Sequence, residues 1–357
     1  MKKIAFIATI FTLLTLFIAC NTDSEKKNPE QAANGKKISV VATIYPQYAW
    51  LKEILGKQAD SLNLTLLIKN GMDLHSYKPS AKDIATIAKA DMIVYVGGES
   101  DEWIEKALEA TPNEKRVQVN LLAALGDRVK AEEVVEGMQA EDEHEHHHEH
   151  AEEHEHEEHH EHAEEHEHHE HEAHAEEVEN DEHVWLSLKN AEILVKALTQ
   201  ALVKLDNAHE AEYLANANAY IAKITELDEA YRVMVAGASH KTILFGDRFP
   251  FRYLVDDYGI KYYAAFVGCS AESEASFETI AFLAGKMDSE SLPSIFIIEN
   301  GNDKIAKAVL AASKKSQNAQ ILTINSMQSI TEEQINNGIN YLSLMRANLE
   351  NLKKALN

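Results

Sequence analysis

Histidine and glutamate alternate almost without interruption in residues 141–179, and side chains of these two types could bind metal ions. The tract holds 15 of the 19 histidines of the chain, at positions 144, 146, 147, 148, 150, 154, 156, 159, 160, 162, 166, 168, 169, 171 and 174. Imidazole and carboxylate are both ligands for divalent ions such as zinc, so the composition is typical of metal capture. An engineered tag or a neutral spacer is the alternative, but a tag would stand at a terminus and would not intersperse glutamate.

The same part of the chain carries nearly all of the net charge. Residues 132–182 contain 24 acidic residues and no lysine or arginine, against a formal net charge of -25 for the whole chain. The remainder is therefore an electrostatically balanced globule, and no nucleic-acid partner is expected. The tract lacks the apolar periodicity and the hydrophobic area of a folded core, which predicts a mobile, solvated loop.

Two short matches to the zinc-protease pattern H-E-x-x-H, at 144–148 and 156–160, do not indicate an enzyme. Such matches arise by chance in a sequence built of histidine and glutamate, and the catalytic version needs a packed helix. We find no glycine-rich phosphate loop and no convincing Ser/His/Asp arrangement. The sequence therefore predicts a binding protein that is not an enzyme, with an extracytoplasmic hydrolase as one alternative.

Two further histidines, His75 and His183, lie beside predicted secondary-structure elements. Apolar runs at 38–44, 62–68 and 92–96 alternate with helical segments, a pattern that predicts a βαβ lobe with a parallel sheet. His75 follows the second run and the turn signal Asn70-Gly71. It is thus expected in a loop at the carboxyl end of a strand, where open α/β sheets bind ligands.

A long helical segment follows His183. No proline or glycine interrupts it as far as about residue 235, and apolar residues recur at helical spacing over a length of about 60 Å. Further strand-like runs follow at 242–245, 262–266, 295–298 and 321–324. We therefore predict an α/β protein of two Rossmann-like βα lobes joined by one long rigid helix. The predicted segments are an N-terminal lobe at 38–130, the acidic loop at 131–180, a return to that lobe at 181–187, the connecting helix at 188–236 and a C-terminal lobe at 237–357.

The N-terminus has the features of an export signal. Lys2 and Lys3 precede an apolar run that is short for a membrane-spanning helix, so residues 1–19 are predicted to be a signal peptide. The pair Ala19-Cys20 resembles a bacterial lipoprotein cleavage box, which implies a lipid on Cys20 and a polar tether at 20–37. An uncleaved anchor is the alternative, and both place the body outside the cytoplasm. Cys269 is the only other cysteine, so no disulfide framework is expected.

Five features of the sequence occur together in one known family. They are the cleavage box, LHSYKPS at 74–80, EW at 102–103, EHVWLS at 182–187 after the His-rich loop, and GDRFPF at 246–251. In this combination the chain resembles the metal-specific solute-binding lipoproteins of zinc and manganese ABC transporters, over essentially the whole mature chain. The His-rich loop favours the zinc branch. The resemblance implies a metal ion between two lobes, with His75 and His183 as ligands.

The resemblance leaves the other ligands open, because the chain departs from the family pattern. Many members have His, or Glu in the manganese branch, where this chain reads FGDR at 245–248, and Asp or His at the place of Asn325. We predict Asp247 as the third ligand; an equal alternative is that its carboxylate pairs with Arg248 or Arg252. Water or the loop could also complete the site, and the reserve side chains are Cys269, Glu272 and Glu299.

The predicted function is that of an extracytoplasmic solute-binding component of an ABC transporter. It would capture Zn²⁺ and deliver it to a membrane permease, as a monomer held at the membrane by the lipid on Cys20. Uptake of Mn²⁺ is one alternative, although the second lobe has no clear pair of carboxylates for it. The other alternative is a surface metal buffer or adhesin in which the His-rich loop is the functional part.

Overall fold

Seven predicted apolar runs form parallel β-strands in the computed structural model, which describes residues 37–139, 179–270 and 273–357. An eighth short strand, β4, was not predicted. The strands are β1 (Ser39–Ala42), β2 (Asn63–Leu66), β3 (Met92–Tyr95), β4 (Val117–Asn120), β5 (Thr242–Phe249), β6 (Lys261–Val267), β7 (Ser294–Ile298) and β8 (Gln320–Ile324). They form two sheets, ordered β2-β1-β3-β4 and β6-β5-β7-β8.

Each sheet belongs to one lobe, and the two lobes have the same plan. Strand order and parallel pairing in both are those of βαβ crossover units. The first lobe contains α1 (Tyr45–Leu55), α2 (Ala81–Lys89), α3 (Glu102–Ala110) and α4 (Leu121–Leu125). The second contains α7 (Arg252–Tyr258), α8 (Phe277–Glu290), α9 (Lys304–Ala312), α10 (Glu332–Asn336) and α11 (Tyr341–Leu356). The predicted fold class of two α/β lobes is therefore confirmed.

One long helix joins the lobes, but it is shorter than the predicted range of 188–236. That range forms two helices, α5 (Leu188–Leu205) and α6 (Glu210–Gly237), separated by Asp206 and a 3-10 turn. The carboxylate of Asp206 accepts hydrogen bonds from the Tyr213 hydroxyl at 2.6 Å and the His209 ring at 2.7 Å. An aspartate that bonds to the following turn favours a helix boundary over a helix interior, even without proline or glycine.

Helix α6 contacts both lobes. Asn216 donates to the carbonyl of Ile54 in α1 at 3.0 Å, and the Tyr231 hydroxyl donates to the carbonyl of Met345 in α11 at 2.6 Å. Its buried face is part of an apolar core that extends through residues of both lobes. At about 1.5 Å per residue, its 28 residues span about 42 Å. None of the helices in the described ranges is both long and apolar enough to span a membrane.

The described ends of the predicted loop are held against the body. Ala131 and Asn180 form an antiparallel bridge. On the other side, the backbone amide of Gln139 donates to the carbonyl of Ala265 in β6 at 2.9 Å. Residues 131–139 are therefore packed against the second lobe. The rest of the tract, residues 140–178, lies outside the described residues, and so do the predicted signal peptide and most of the tether, residues 1–36.

Candidate metal centre

His75 lies in a 3-10 turn, Leu74–Ser76, on the carboxyl side of β2 as the sequence predicts. Its backbone amide donates to the Asp73 carboxylate at 3.0 Å, and its Nδ1 lies 2.7 Å from Ser100 Oγ. These contacts use the backbone amide and Nδ1, so Nε2 is the ring nitrogen that remains for a metal ion. Burial lowers the pKa of His75 to about 3, and nearby His183 acts in the same direction. The imidazole is therefore neutral at neutral pH, the form that binds metal.

His183 is fully buried in the segment that precedes α5. One oxygen of Asp181 accepts the backbone amide of His183 at 2.8 Å and lies 3.0 Å from its Nδ1. A carboxylate on Nδ1 orients a histidine and keeps the lone pair of Nε2 for a metal ion. Behind the ring, a Cβ atom on Gly268 would lie only 3.1 Å from Cε1 of His183. A glycine at this place therefore lets the second lobe approach the ring closely.

The Nε2 atoms of His75 and His183 face each other at 3.0 Å. Two nitrogens bound to one tetrahedral zinc ion at 2.0–2.1 Å lie about 3.3 Å apart, so the pair is already near a binding geometry. The side-chain nitrogen of Gln328, in the loop after β8, lies 3.1 Å from Nε2 of His183. This amide must move aside, or turn its oxygen inward, when an ion enters.

Cys269 is the third potential ligand at this point. In the described parts of the chain, the donor atoms of His75, His183 and Cys269 form a group of three within 4.8 Å of one another. Cys269 follows β6, and its backbone amide donates to the Glu132 carboxylate at 3.0 Å. Burial, reinforced by Glu132, raises the pKa of the thiol. The pKa shift therefore favours a protonated thiol beside the histidine pair.

An ion pair links the two lobes next to this group. Arg248, at the end of β5, pairs with Asp73, the residue that fixes the turn of His75. Although burial opposes the effect, Arg248 keeps the pKa of Asp73 below its usual value. The guanidinium also donates to the carbonyl of Ser270 at 3.4 Å. The histidine turn of the first lobe and the cysteine loop of the second are thus both attached to Arg248.

The comparison with protein families decides the assignment. A family model described as zinc-uptake complex component A, periplasmic (ZnuA), matches residues 40–355. The chain belongs to this family. Membership confirms the predicted family and its zinc branch, and it confirms a binding component rather than an enzyme. The family description is also that of proteins outside the cytoplasm, in agreement with the predicted location of the body.

Individual relatives agree with this assignment. The high-affinity zinc uptake system protein ZnuA of Bacillus subtilis is 30% identical over 355 residues, which cover 99% of this chain and 98% of the relative. The zinc-binding lipoprotein AdcA of Streptococcus pneumoniae R6 is 31% identical over 356 residues, 99% of this chain but 61% of the relative. The Zn(II)-bound AdcA structure from S. pneumoniae aligns with a TM-score of 0.65 at 28% identity, covering 90% of this chain and 58% of that one. The chain thus spans about three fifths of the AdcA proteins.

Asp247, the predicted third ligand, is not part of the group of donor atoms found among the described residues at the histidine pair. Its carboxylate accepts the backbone amides of Arg248 at 2.9 Å and Ile298 at 3.2 Å, and so holds the end of β7. The neighbouring position, Gly246, packs so closely on α9 that a Cβ atom there would lie 2.6 Å from Cα of Ala306. No side chain fits at 246, because the backbone of α9 lies against this position of β5.

The reserve candidate Glu299, and Asn325 at the family's usual place for the last ligand, both support the loop after β8. Glu299 accepts the backbone amides of Ser326 at 2.6 Å and Gln328 at 3.1 Å. Asn325 accepts the amide of Met327 at 2.8 Å through its side chain. Both therefore shape the loop that carries Gln328. The remaining reserve, Glu272, lies outside the described residues.

Sequence reasoning missed the residues that orient the two histidines. Asp181, Ser100 and Gln328 each lie within 3.1 Å of a ring nitrogen, yet none was singled out. The sequence did contain a signal for Asp181, because an aspartate stands two positions before each of the two histidines. An aspartate that accepts the amide two residues later is a common turn, and it orients the residue that follows. Ser100 and Gln328 come from distant segments and carry no comparable signal.

Proposed function

We propose that this protein captures Zn²⁺ through His75 and His183 and delivers it to the membrane permease of an ABC transporter. The observation that carries the proposal is the approach of the two Nε2 atoms to 3.0 Å, while each Nδ1 is engaged by another side chain. Membership in a zinc-uptake family supports the same substrate. A relative of nearly equal length is named for high-affinity zinc uptake, which supports transport over storage.

A negatively charged cavity offers a route for the ion. It has a volume of about 800 Å³, reaches Cys269 and Glu182, and is lined in addition by Glu99, Glu102, Glu105 and Glu179. One buried oxygen of Glu182 accepts no hydrogen bond and lies 3.9 Å from Nδ1 of His75. Carboxylates concentrated in a concave surface attract cations before they bind. The cavity also begins where the His-rich tract returns to the body, at Glu179.

The donor types at the site favour zinc over manganese. Imidazole and thiol groups suit Zn²⁺, whereas Mn²⁺ prefers carboxylate, carbonyl and water oxygens. The group at the histidine pair contains two imidazoles and a thiol, and Asp247 is occupied by backbone amides. In this proposal the His-rich tract raises the local metal concentration and is not itself the transport site.

Attachment to the membrane by a lipid on Cys20 belongs to the same proposal. Ala19-Cys20 follows an apolar run of signal-peptide length. The AdcA relative is named a lipoprotein. Metabolic labelling with a fatty acid should therefore mark the wild-type chain and leave Cys20→Ser unlabelled. Equal labelling of both chains would contradict the anchor.

Zinc uptake in cells tests the proposal directly. A strain that lacks this protein, supplied with wild-type chain or with His75→Ala/His183→Ala, is grown under zinc limitation, and radioactive zinc uptake is measured. We expect the double variant to lose uptake although its level in the envelope is unchanged. His240→Ala, a histidine outside both the site and the tract, is the matched control and should transport normally. Full uptake by the double variant would refute the proposal.

A further inference from the structure

We infer that Cys269 is the third metal ligand and supplies a thiolate to the zinc site. This inference rests on the proposed function and adds to it that the site selects metals that prefer thiolate ligands. The thiol belongs to the second lobe, while both histidines lie outside that lobe's sheet and helices. A bond from Cys269 to the ion would therefore connect the lobes through the metal.

The distances allow coordination with a small movement. The donor atoms of the three residues already lie within 4.8 Å of one another. A sulfur at 2.3 Å and a nitrogen at about 2.05 Å from a tetrahedral zinc ion lie about 3.6 Å apart. Closing that gap from 4.8 Å takes a shift of at most about 1.2 Å, which a change in the Cys269 side-chain rotamer or a slight approach of the lobes would provide.

The loop that carries Cys269 is positioned from several sides. Its backbone amide is bound by Glu132, and the carbonyl of Ser270 is bound by Arg248, the partner of Asp73. The preceding Gly268 lies against the ring of His183. These contacts position the cysteine beside both histidines.

The other described candidate ligands of the second lobe are not part of this group of donor atoms, and their carboxylates accept backbone amides. The Asp247 carboxylate accepts hydrogen bonds from the amides of Arg248 and Ile298, and the Glu299 carboxylate accepts one from Ser326 in the loop after β8. Gly246, within the FGDR segment at 245–248, has no room for a side chain. Among the described residues, the second lobe therefore offers Cys269, whose thiol hydrogen-bonds to Glu132, as the ionisable group that lies beside the pair.

A thiolate changes what the site prefers. When Zn²⁺ binds, the thiol proton passes to solvent and a sulfur–zinc bond forms, so the ion meets two neutral imidazoles and one negative sulfur. Soft thiolates favour zinc, cadmium and copper(I) over manganese and magnesium, which bind oxygen ligands. The site should thus reject manganese more strongly than one built of histidine and carboxylate.

Cobalt(II) spectroscopy on the full chain tests this assignment. Co²⁺ replaces Zn²⁺ in tetrahedral sites, and a cysteine ligand adds an intense near-ultraviolet sulfur-to-metal charge-transfer band. The chain has only two cysteines, so Cys20→Ser is the matched control. We expect this band in wild type and in Cys20→Ser and its loss in Cys269→Ser, which should also bind zinc at least about tenfold more weakly.

The outcomes separate this inference from the proposed function. If cobalt binds with visible tetrahedral bands that vanish in His75→Ala/His183→Ala, but wild type shows no charge-transfer band, Cys269 is not a ligand and the proposed function stands. A band that survives in Cys269→Ser overturns the inference in the same way. If the double histidine variant binds cobalt as wild type does, both the inference and the proposed function fail.

Discussion

Each histidine of the pair is held by an aspartate two positions before it. Asp73 and Asp181 accept the backbone amides of His75 and His183, at 3.0 and 2.8 Å. Asp181 continues to Nδ1 of its histidine, whereas Asp73 turns to Arg248, and Ser100 occupies Nδ1 of His75 instead. The two rings are therefore oriented by different partners although they follow the same short sequence pattern.

Removing the partner of His75 should weaken zinc binding. In Ser100→Ala the Nδ1 atom loses its contact at 2.7 Å, so the ring is free to rotate and Nε2 is less well directed at the ion. Loss of such an orienting contact typically lowers metal affinity about 10-fold or more. We expect this decrease in a chelator competition assay, with the unfolding temperature almost unchanged.

The control for that change is Ser76→Ala. Ser76 is exposed and adjacent to His75, but its hydroxyl reaches only the Asp73 carbonyl at 3.5 Å. Its removal should leave zinc affinity within the error of the assay. An equal decrease in zinc affinity in Ser100→Ala and Ser76→Ala would show that Ser100 has no specific orienting role.

The sequence predicted the two histidines as ligands and named Cys269 only as a reserve, and the structure brings these three side chains together. His75 and His183 stand in motifs that can be read locally, and both lie where expected. Cys269 reaches them because the loop after β6 packs beside the ring of His183. Such proximity depends on how the second lobe packs near the pair, and no local pattern around Cys269 encodes it. Asp247 was favoured because it lies in the segment where many family members have a ligand, and in the structure its carboxylate accepts two backbone amides.

At the scale of elements, the junction between β3 and α3 places Ser100 beside His75. The buried carboxylate of Asp101 accepts the backbone amides of Val96 at 2.5 Å and Gly97 at 3.3 Å, and so bends the chain as it leaves β3. Burial, reinforced by nearby Glu182, raises the pKa of Asp101 to about 7. The junction is therefore sensitive to pH.

The raised pKa predicts a loss of stability as pH increases. Between about pH 4, where aspartate titrates in the unfolded chain, and about pH 7, the folded protein keeps a proton that the unfolded chain has lost. Each pH unit in this window lowers the free energy of unfolding by about 1.4 kcal/mol through this one group. Between pH 5 and pH 7, the free energy of unfolding should fall by about 2 kcal/mol less in Asp101→Asn than in wild type. Denaturant unfolding at the two pH values measures this difference.

Asp127→Asn is the matched control for this measurement. Its side chain is exposed, so the variant should follow the pH dependence of wild type. If Asp101→Asn also follows wild type, the carboxyl of Asp101 does not hold a proton in the folded state. The account of the junction would then be wrong.

Strands were easier to predict than helix boundaries. Seven β-branched or apolar runs became strands because both faces of each parallel sheet are covered, which favours continuous apolar sequence. The edge strand β4 reads VQVN, too short and too polar for that signal. The boundary at Asp206 was missed because it depends on side-chain hydrogen bonds to the next turn and not on proline or glycine.

At the scale of the whole molecule, the His-rich tract leaves and rejoins the body close to the proposed site. The described segment that precedes the tract, residues 131–139, contacts the second lobe through Glu132, Glu133 and Gln139, and it pairs with residues 179–180. Glu132 also binds the amide of Cys269. The tract is thus attached next to the loop that carries the thiol.

Deletion of residues 141–177 separates the tract from the site. The segment 131–139 and its pairing partners are retained, so we expect an almost unchanged unfolding temperature and one tight zinc site. The many weaker sites should be lost, which calorimetry would show as a fall in the number of zinc ions bound per chain. Loss of all tight binding would favour the metal-buffer alternative, in which the tract holds the metal.

The most direct measurement is a zinc titration of the full chain in competition with a strong chelator, so that only tight sites retain metal. Wild type and His75→Ala/His183→Ala are compared, with circular dichroism to verify that both are folded. We predict that wild type keeps one zinc ion per chain under these conditions, and that the double variant loses it with an affinity decrease of more than about 100-fold. Retention of the same tight ion by the double variant would contradict a zinc site at the histidine pair.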